Sequence, residues 1–241
     1  EFSFKKLMKV GGTASITVDS INNGSSDNCG IQSLSLSKTA FDCTDVNKAL
    51  KFDSITNGDV VVSNNTANIP IGSSARTISA WINPSMEHYN WGIIGQGKAT
   101  DIFGNGNGEL FAIGLQSNNR LTFWGSYADY VSPAVVPMNT WTYVAVTYNG
   151  STGVLYMNDA AYPFSSFGLN TPPSKFFVGA ETTTDGADYR TQYQGSIDEV
   201  KVYNRALSAA EIAADRVGTN QSGLVLHYPF NEGTGINITV A

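Results

Sequence analysis

Gly195-Ser196-Ile197-Asp198-Glu199-Val200-Lys201-Val202-Tyr203-Asn204-Arg205-Ala206-Leu207-Ser208 is the stretch on which the fold turns. Ile197, Val200, Val202 and Tyr203 can feed a core from a strand. The strand runs straight into Ser208-Ala209-Ala210-Glu211, a capping box in which a serine hydroxyl and a glutamate three residues on satisfy each other's exposed amides. The stretch therefore predicts a strand that ends in a short capped helix.

The string G-S-I-D-E-V-K-V-Y-N-R-A-L-S-x-x-E-I closely resembles the closing segment of laminin-G-like, concanavalin A-like jelly-roll domains. Working outward, Ala49-Leu50-Lys51-Phe52-Asp53 followed by Asp59-Val60-Val61-Val62 resembles that family's opening "A-L-x-F-D-G…D-Y-V". Thr77 to Pro84 resembles its "F-T-I-S-A-W-V-x-P", and Trp141 to Ser151 its strand entering a turn. Val154-Leu155-Tyr156-Met157-Asn158 reads as the returning strand, with Asn158-Asp159 as its turn. Four signatures in order imply an all-β, concanavalin A-like jelly-roll β-sandwich over residues 47–217 with a short C-terminal helix. Short strands at regular spacing point the same way without the family. The resemblance further implies a secreted or cell-surface domain that binds sugars or other extracellular ligands.

The flanks differ from this core. Residues 1–46 form a small β segment whose I-T-V-D-S-I-N-N-G-S-S-D-N-C-G-I-x-S-L-S-L-S-K-T-x-F-D-C resembles the first half of a HYR-like bacterial immunoglobulin-type repeat. Residues 218–241 carry Gly223-Leu224-Val225-Leu226-His227-Tyr228-Pro229-Phe230, which resembles the start of a laminin-G-like unit although it stands late in the chain. Two readings stay open. It is the beginning of a truncated second copy, or it folds back as a strand that the unit's own N-terminus lacks. Fold-back is favoured, since an unpaired apolar strand is a sticky edge. Repeat fragments on both sides suggest a piece of a larger multidomain protein.

Composition bounds the function. Only 14% of the 241 residues are charged, so Ser, Thr, Asn and Gly carry solubility, and 24 glycines mark the turns. A net charge of −6 with scattered Lys and Arg argues against a nucleic-acid partner. No apolar run reaches the roughly 18 residues of a membrane span, so membrane insertion is not expected. Cys29 and Cys43 flank a strictly alternating strand. A disulfide between them would stabilise by about 3 kcal/mol and indicate an oxidising compartment. The alternative is two free buried thiols.

Three candidate sites emerge. The resemblance implies structural Ca²⁺ held by an early acidic turn and by the Asp of the closing strand, here Asp53, Asn57, Asp59 and Asp198. Such oxygens suit a hard cation, although Phe52-Asp53-Ser54 departs from the family's F-D-G. A glycan face is expected from Tyr89, Trp91, Trp124, Tyr127 and Tyr130, whose rings can stack on a pyranose. Polar neighbours Asn118 and Arg120, with His88, Asn90 and Asp129, would bond its hydroxyls. Trp81 and Trp141, in signature strands, are expected in the core. The Gly-rich run Asp101 to Glu109 lacks the ending of a phosphate loop and reads as a hairpin loop beside a binding face.

Catalysis finds no motif. The E-x-D-x-x-E strand of glycosidases on this fold is missing, and Asp198 and Glu199, adjacent on one strand, should point to opposite faces. The expected function is non-catalytic polysaccharide binding. An adhesion or spacer module is the alternative, and a polysaccharide-degrading enzyme the third reading.

Overall fold

The computed structural model describes residues 14–15, 40–41, 49–53, 60–63, 66–87, 91–99, 108–165, 168–182, 189–190 and 192–230. The chain divides into two compact units, Glu1–Lys48 and Ala49–Ala241. Within the first, β1 (Ala14–Ser15) pairs antiparallel with β2 (Ala40–Phe41). Cys29 and Cys43 lie outside the described residues.

The second unit is a sandwich of two antiparallel sheets. Its strands are β3 (Leu50–Phe52), β4 (Val61–Ser63), β5 (Arg76–Pro84), β6 (Trp91–Gly97), β7 (Leu110–Gln116), β8 (Arg120–Trp124), β9 (Tyr130–Val135) and β10 (Thr142–Tyr148). They continue as β11 (Thr152–Met157), β12 (Ala160–Ser165), β13 (Phe176–Val178), a small pair β14 (Glu181–Thr182) and β15 (Tyr189–Arg190), and β16 (Gly195–Tyr203). Helix α1 (Ala209–Arg216) and β17 (Leu224–Tyr228) complete the unit. One sheet has seven strands, ordered β12-β11-β10-β5-β16-β17 with β3 also on β16. The other has six, ordered β4-β13-β6-β7-β8-β9. This is the architecture expected of the jelly roll.

The signature strands make the centre of the seven-stranded sheet. Ile78, Ala80 and Ile82 of β5 face the interior with Val144 and Val146 of β10 and Ile197, Val200 and Val202 of β16. Facing them are Ile94, Phe111, Ile113, Leu115, Leu121 and Phe123 of the six-stranded sheet. Phe164 is sandwiched between Phe123 at 4.9 Å and Tyr130 at 5.0 Å, which ties the free edges of the two sheets together.

The closing strand is not regular. Between Asp198, opposite Trp81, and Lys201, opposite Ser79, the register shifts, and Glu199 takes a left-handed backbone at φ +52°. This bulge inserts one extra residue. It explains why Ile197 and Val200, three apart, both reach the core. It also overturns the expectation that Asp198 and Glu199 diverge. Asp198 lies opposite Trp81 and Glu199 bonds Lys201 and His227, so both belong to the helix-covered side.

That outer side is closed by α1. The expected capping box forms: Ser208 Oγ accepts from the Glu211 amide and the Glu211 carboxylate accepts from the Ser208 amide. Arg205 clamps the same carboxylate at 2.7 and 2.9 Å, and with the cap amide it holds the Glu211 pKa down to about 2. The helix buries Ile212 on Tyr143, Ala145, Tyr156, Tyr203 and Leu207. Its Asp215 is sunk among hydroxyls. It accepts from Ser79 Oγ, Tyr143 Oη and Tyr203 Oη, each at 2.6 Å, and pairs with Lys201 Nζ at 3.1 Å. Burial, with this carboxylate beside them, pushes both tyrosine pKa values far up.

Strand β17 pairs with the Val200–Tyr203 half of β16, and β3 with its Gly195–Ile197 half, so the fold-back strand of the sequence reading sits in the same sheet. Trp81 and Trp141 are half-buried. Trp81 packs edge-on against Tyr143 at 5.8 Å on the helix side rather than between the sheets. Among the described residues no helix is long and apolar enough to cross a membrane.

Candidate functional site

Strand β8 decides which of the expected ligand residues can act together. Asn118 and Arg120 lie at its start, in and beside the turn that leads from β7, and both are exposed. Trp124, Tyr127 and Tyr130 lie at or past its end. Four strand steps at roughly 3.3 Å each separate the two groups by about 13 Å. The structure does not bring them to one spot. Tyr89, His88, Asn90 and the side chain of Trp91 lie outside the described residues.

The far end of β8 is the better-built region. Residues Gly125 to Asp129 connect β8 to β9 through two consecutive left-handed residues, Ser126 at φ +53° and Tyr127 at φ +61°. Such backbone is costly for residues with a Cβ and persists only where surroundings hold it. They do so here. Asp129 Oδ1 accepts the Gly125 amide at 2.7 Å, Ser126 Oγ donates to the Lys98 carbonyl at 3.1 Å, and the Ser126 carbonyl accepts the Gly108 amide at 2.9 Å. Desolvation raises the Asp129 pKa, and the amides of Gly125 and Ser126 offset only part of that rise. The loop thereby lifts Tyr127 into solvent at 62% exposure, the highest of the large hydrophobics among the described residues.

The segments that hold Ser126, at Lys98 and Gly108, are themselves tied to others. Lys98 and Glu109 form an ion pair at 3.0 Å, the Asn170 amide bonds the Gly108 carbonyl, and Ser174 Oγ accepts the Gly97 amide. An exposed ring standing on a fixed loop can stack on the apolar face of a sugar. Lys98, Glu109 and Asn170 were missed in the sequence. The available signal was two charges flanking the Gly-rich run between apolar strands.

Other expected residues are used differently. Trp124 is only 6% exposed and packs on Ala99, Leu110, Ala112 and Phe177 on the outer side of the six-stranded sheet, so it cannot serve as an exposed platform. Tyr130 lies in the Phe164 stack. Asp129 builds the loop. The metal expectation does not close on Asp198. Asp53 follows Phe52, which faces Gly195, so Asp198 is about four strand steps away, roughly 13 Å. Asp53 is exposed and bonded by Lys51 Nζ at 2.9 Å, while Asp198 is buried and accepts the Glu199 amide. Asn57 and Asp59 lie outside the described residues. Among the described residues no group of three or more His, Cys, Asp or Glu side chains is placed to hold a metal.

Residues 56–213 match the family profile Laminin_G_3, described as the concanavalin A-like lectin/glucanases superfamily. The match does not reach the N-terminal segment. No curated protein matches the chain. Among solved structures, a candidate carbohydrate-binding protein of Bacteroides ovatus superposes with TM-score 0.59 at 18% identity, over 76% of this chain and 52% of the other. The chain thus spans about half the length of that protein. The heptameric SAP-like pentraxin of Limulus polyphemus gives 0.58 at 13% identity, covering 79% and 90%. The CBM40 of the Ruminococcus gnavus IT-sialidase, bound to α2,3 sialyllactose, gives 0.53 at 14%, covering 70% and 95%. At these identities the likeness is one of fold.

Proposed function

Because the chain belongs to the concanavalin A-like lectin/glucanases superfamily, we propose that it is a non-catalytic module that binds a polysaccharide at the Tyr127 loop. The observation that carries this reading is the exposed Tyr127 ring held on a strained, fully tethered loop. Two of its structural neighbours support it, the candidate carbohydrate-binding protein of Bacteroides ovatus and the CBM40 bound to α2,3 sialyllactose. A secreted or cell-surface setting and a larger multidomain parent belong to the same proposal.

The test is binding of the chain to a panel of plant and marine polysaccharides. Tyr127→Ala is expected to lose at least tenfold in affinity for the glycan that binds, with the melting temperature unchanged, since an exposed ring acts through surface the fold does not need. Trp124→Ala is the opposite control: it should cost roughly 3–5 kcal/mol of stability by leaving a cavity. A panel with no binder would sink the reading and favour the adhesion or spacer alternative. Product release from the panel would instead establish the enzyme.

Calcium is part of the proposal, resting on Asp53, Asn57 and Asp59 of the turn expected from the sequence, without Asp198. Millimolar calcium is expected to raise the melting temperature in wild type and in Asp198→Asn, and to leave Asp59→Asn unmoved. A shift that vanishes in Asp198→Asn would return that residue to the ligand set.

A further inference from the structure

Arg76 opens β5 at the position where the family string has phenylalanine, directly before Thr77. It is 1% exposed. Its Nε donates to the Ser74 carbonyl and one terminal nitrogen, Nη2, to the Gly72 carbonyl. Its guanidinium lies over the Phe111 ring at 5.0 Å. All these partners are neutral. Lys98, Lys201, Arg205 and Arg216 each meet a carboxylate, whereas Arg76 meets none among the described residues. Desolvation accordingly lowers its pKa to about 10.

The second terminal nitrogen, Nη1, is buried without a partner, and so are Tyr148 Oη and Thr171 Oγ1. The three residues are linked through strand and loop pairings. Tyr148 lies directly opposite Arg76 across the β5–β10 pairing, and its ring is 6.3 Å from Phe111. Thr171 exchanges backbone hydrogen bonds with Gly72, the residue whose carbonyl takes Nη2. A buried charge facing only neutral groups is expensive, and buried donors without acceptors add to that cost. An acceptor that also carried negative charge would answer both. Water would satisfy donors but leave the charge unbalanced.

We propose that Arg76 Nη1, Tyr148 Oη and Thr171 Oγ1 form an internal anion site that takes a small monovalent anion of halide size from solvent. Such a site would lock the loop before β5 to the loop before β13, because Gly72 and Thr171 lie on those two loops.

Bromide is the probe. The chain is melted in sodium bromide exchanged against sodium gluconate at constant ionic strength, alongside Arg76→Phe, which restores the residue of the family string. The expected result is a saturating rise, on the order of several degrees, in wild type relative to the variant, since a ligand bound only by the native state stabilises it. Reading the difference cancels general salt effects. Equal slopes in the two proteins would overturn the proposal. Crystals of the wild type grown in bromide supply the independent arm if the variant fails to fold. An anomalous peak within hydrogen-bonding reach of Nη1 is expected, and a wild-type map without one there overturns the site.

Discussion

Asp215→Leu is expected to lower the melting temperature by roughly 10 °C. The carboxylate accepts three hydroxyl hydrogen bonds and pairs with the buried Lys201 ammonium. Removing it leaves the Ser79 and Tyr143 hydroxyls without this acceptor, leaves Tyr203 Oη with the Asn220 carbonyl alone, and leaves the buried Lys201 ammonium with Glu199 as its one carboxylate. Breaking one member of a buried pair costs about 3–5 kcal/mol, and at this chain length each kcal/mol moves the midpoint by roughly 2–4 °C. Asp215→Asn should do less harm, because an amide oxygen still accepts from some of the hydroxyls. Thermal melts of the two variants check this. A loss under about 0.5 kcal/mol for Asp215→Leu would mean that α1 is held by Ile212 and Leu207 alone.

Gly97→Ala should be nearly as damaging and should also abolish glycan binding. Gly97 has φ +108°, a conformation that side chains rarely adopt, and a Cβ there would sit 2.0 Å from the Glu109 carbonyl oxygen. Backbone of that kind costs about 1–3 kcal/mol for a residue with a side chain, and the overlap with main chain cannot be relieved by a rotamer. The strain falls where β6 meets β7, at Gly97 opposite Leu110, beside the Lys98–Glu109 pair and the Ser126 tether. Titration of the binding glycan against the variant and Tyr127→Ala separates the cases. Tyr127→Ala loses binding at full stability, whereas Gly97→Ala loses both. A variant that binds normally would place the ligand away from the Tyr127 loop.

The fold was legible because its signals are local. The capping box at Ser208 and Glu211, and the strings at Thr77–Pro84 and Trp141–Ser151 that resemble the family's, each occupy a short window, and the helix, β5 and β10 form there. The bulge at Glu199 was not. Nothing in the spelling of Asp198-Glu199-Val200 marks which residue will turn left-handed, and the choice follows from keeping both Ile197 and Val200 in the core. The site was half legible for a related reason. Aromatic residues in polar loops can be listed from sequence, but whether a ring faces water depends on the partner strand. Tyr127 and Tyr130 are three residues apart, yet one stands in solvent and the other lies against Phe164, a residue far along the chain. Lys98 and Glu109 meet across the β6–β7 hairpin, but Asn170 reaches Gly108 only through a pairing with a distant loop.

One edge of β16 carries a consequence of another kind. Strand β17 arrives with Leu224 opposite Tyr203 and stops with Tyr228 opposite Val200, while β3 sets out with Leu50 opposite Ile197 and ends at Phe52 opposite Gly195. Both run antiparallel to β16, so they follow one another head to tail along a single track, the later segment first and the earlier one second. The sheet is blind to this order. A chain rewired to run from Phe230 into Ala49, and opened at a hairpin elsewhere, would present β16 with the same two neighbours in the same direction, as one nearly continuous strand. The architecture is thus compatible with circular permutation at this seam, and the place where the backbone is interrupted is a detail of connectivity rather than of packing.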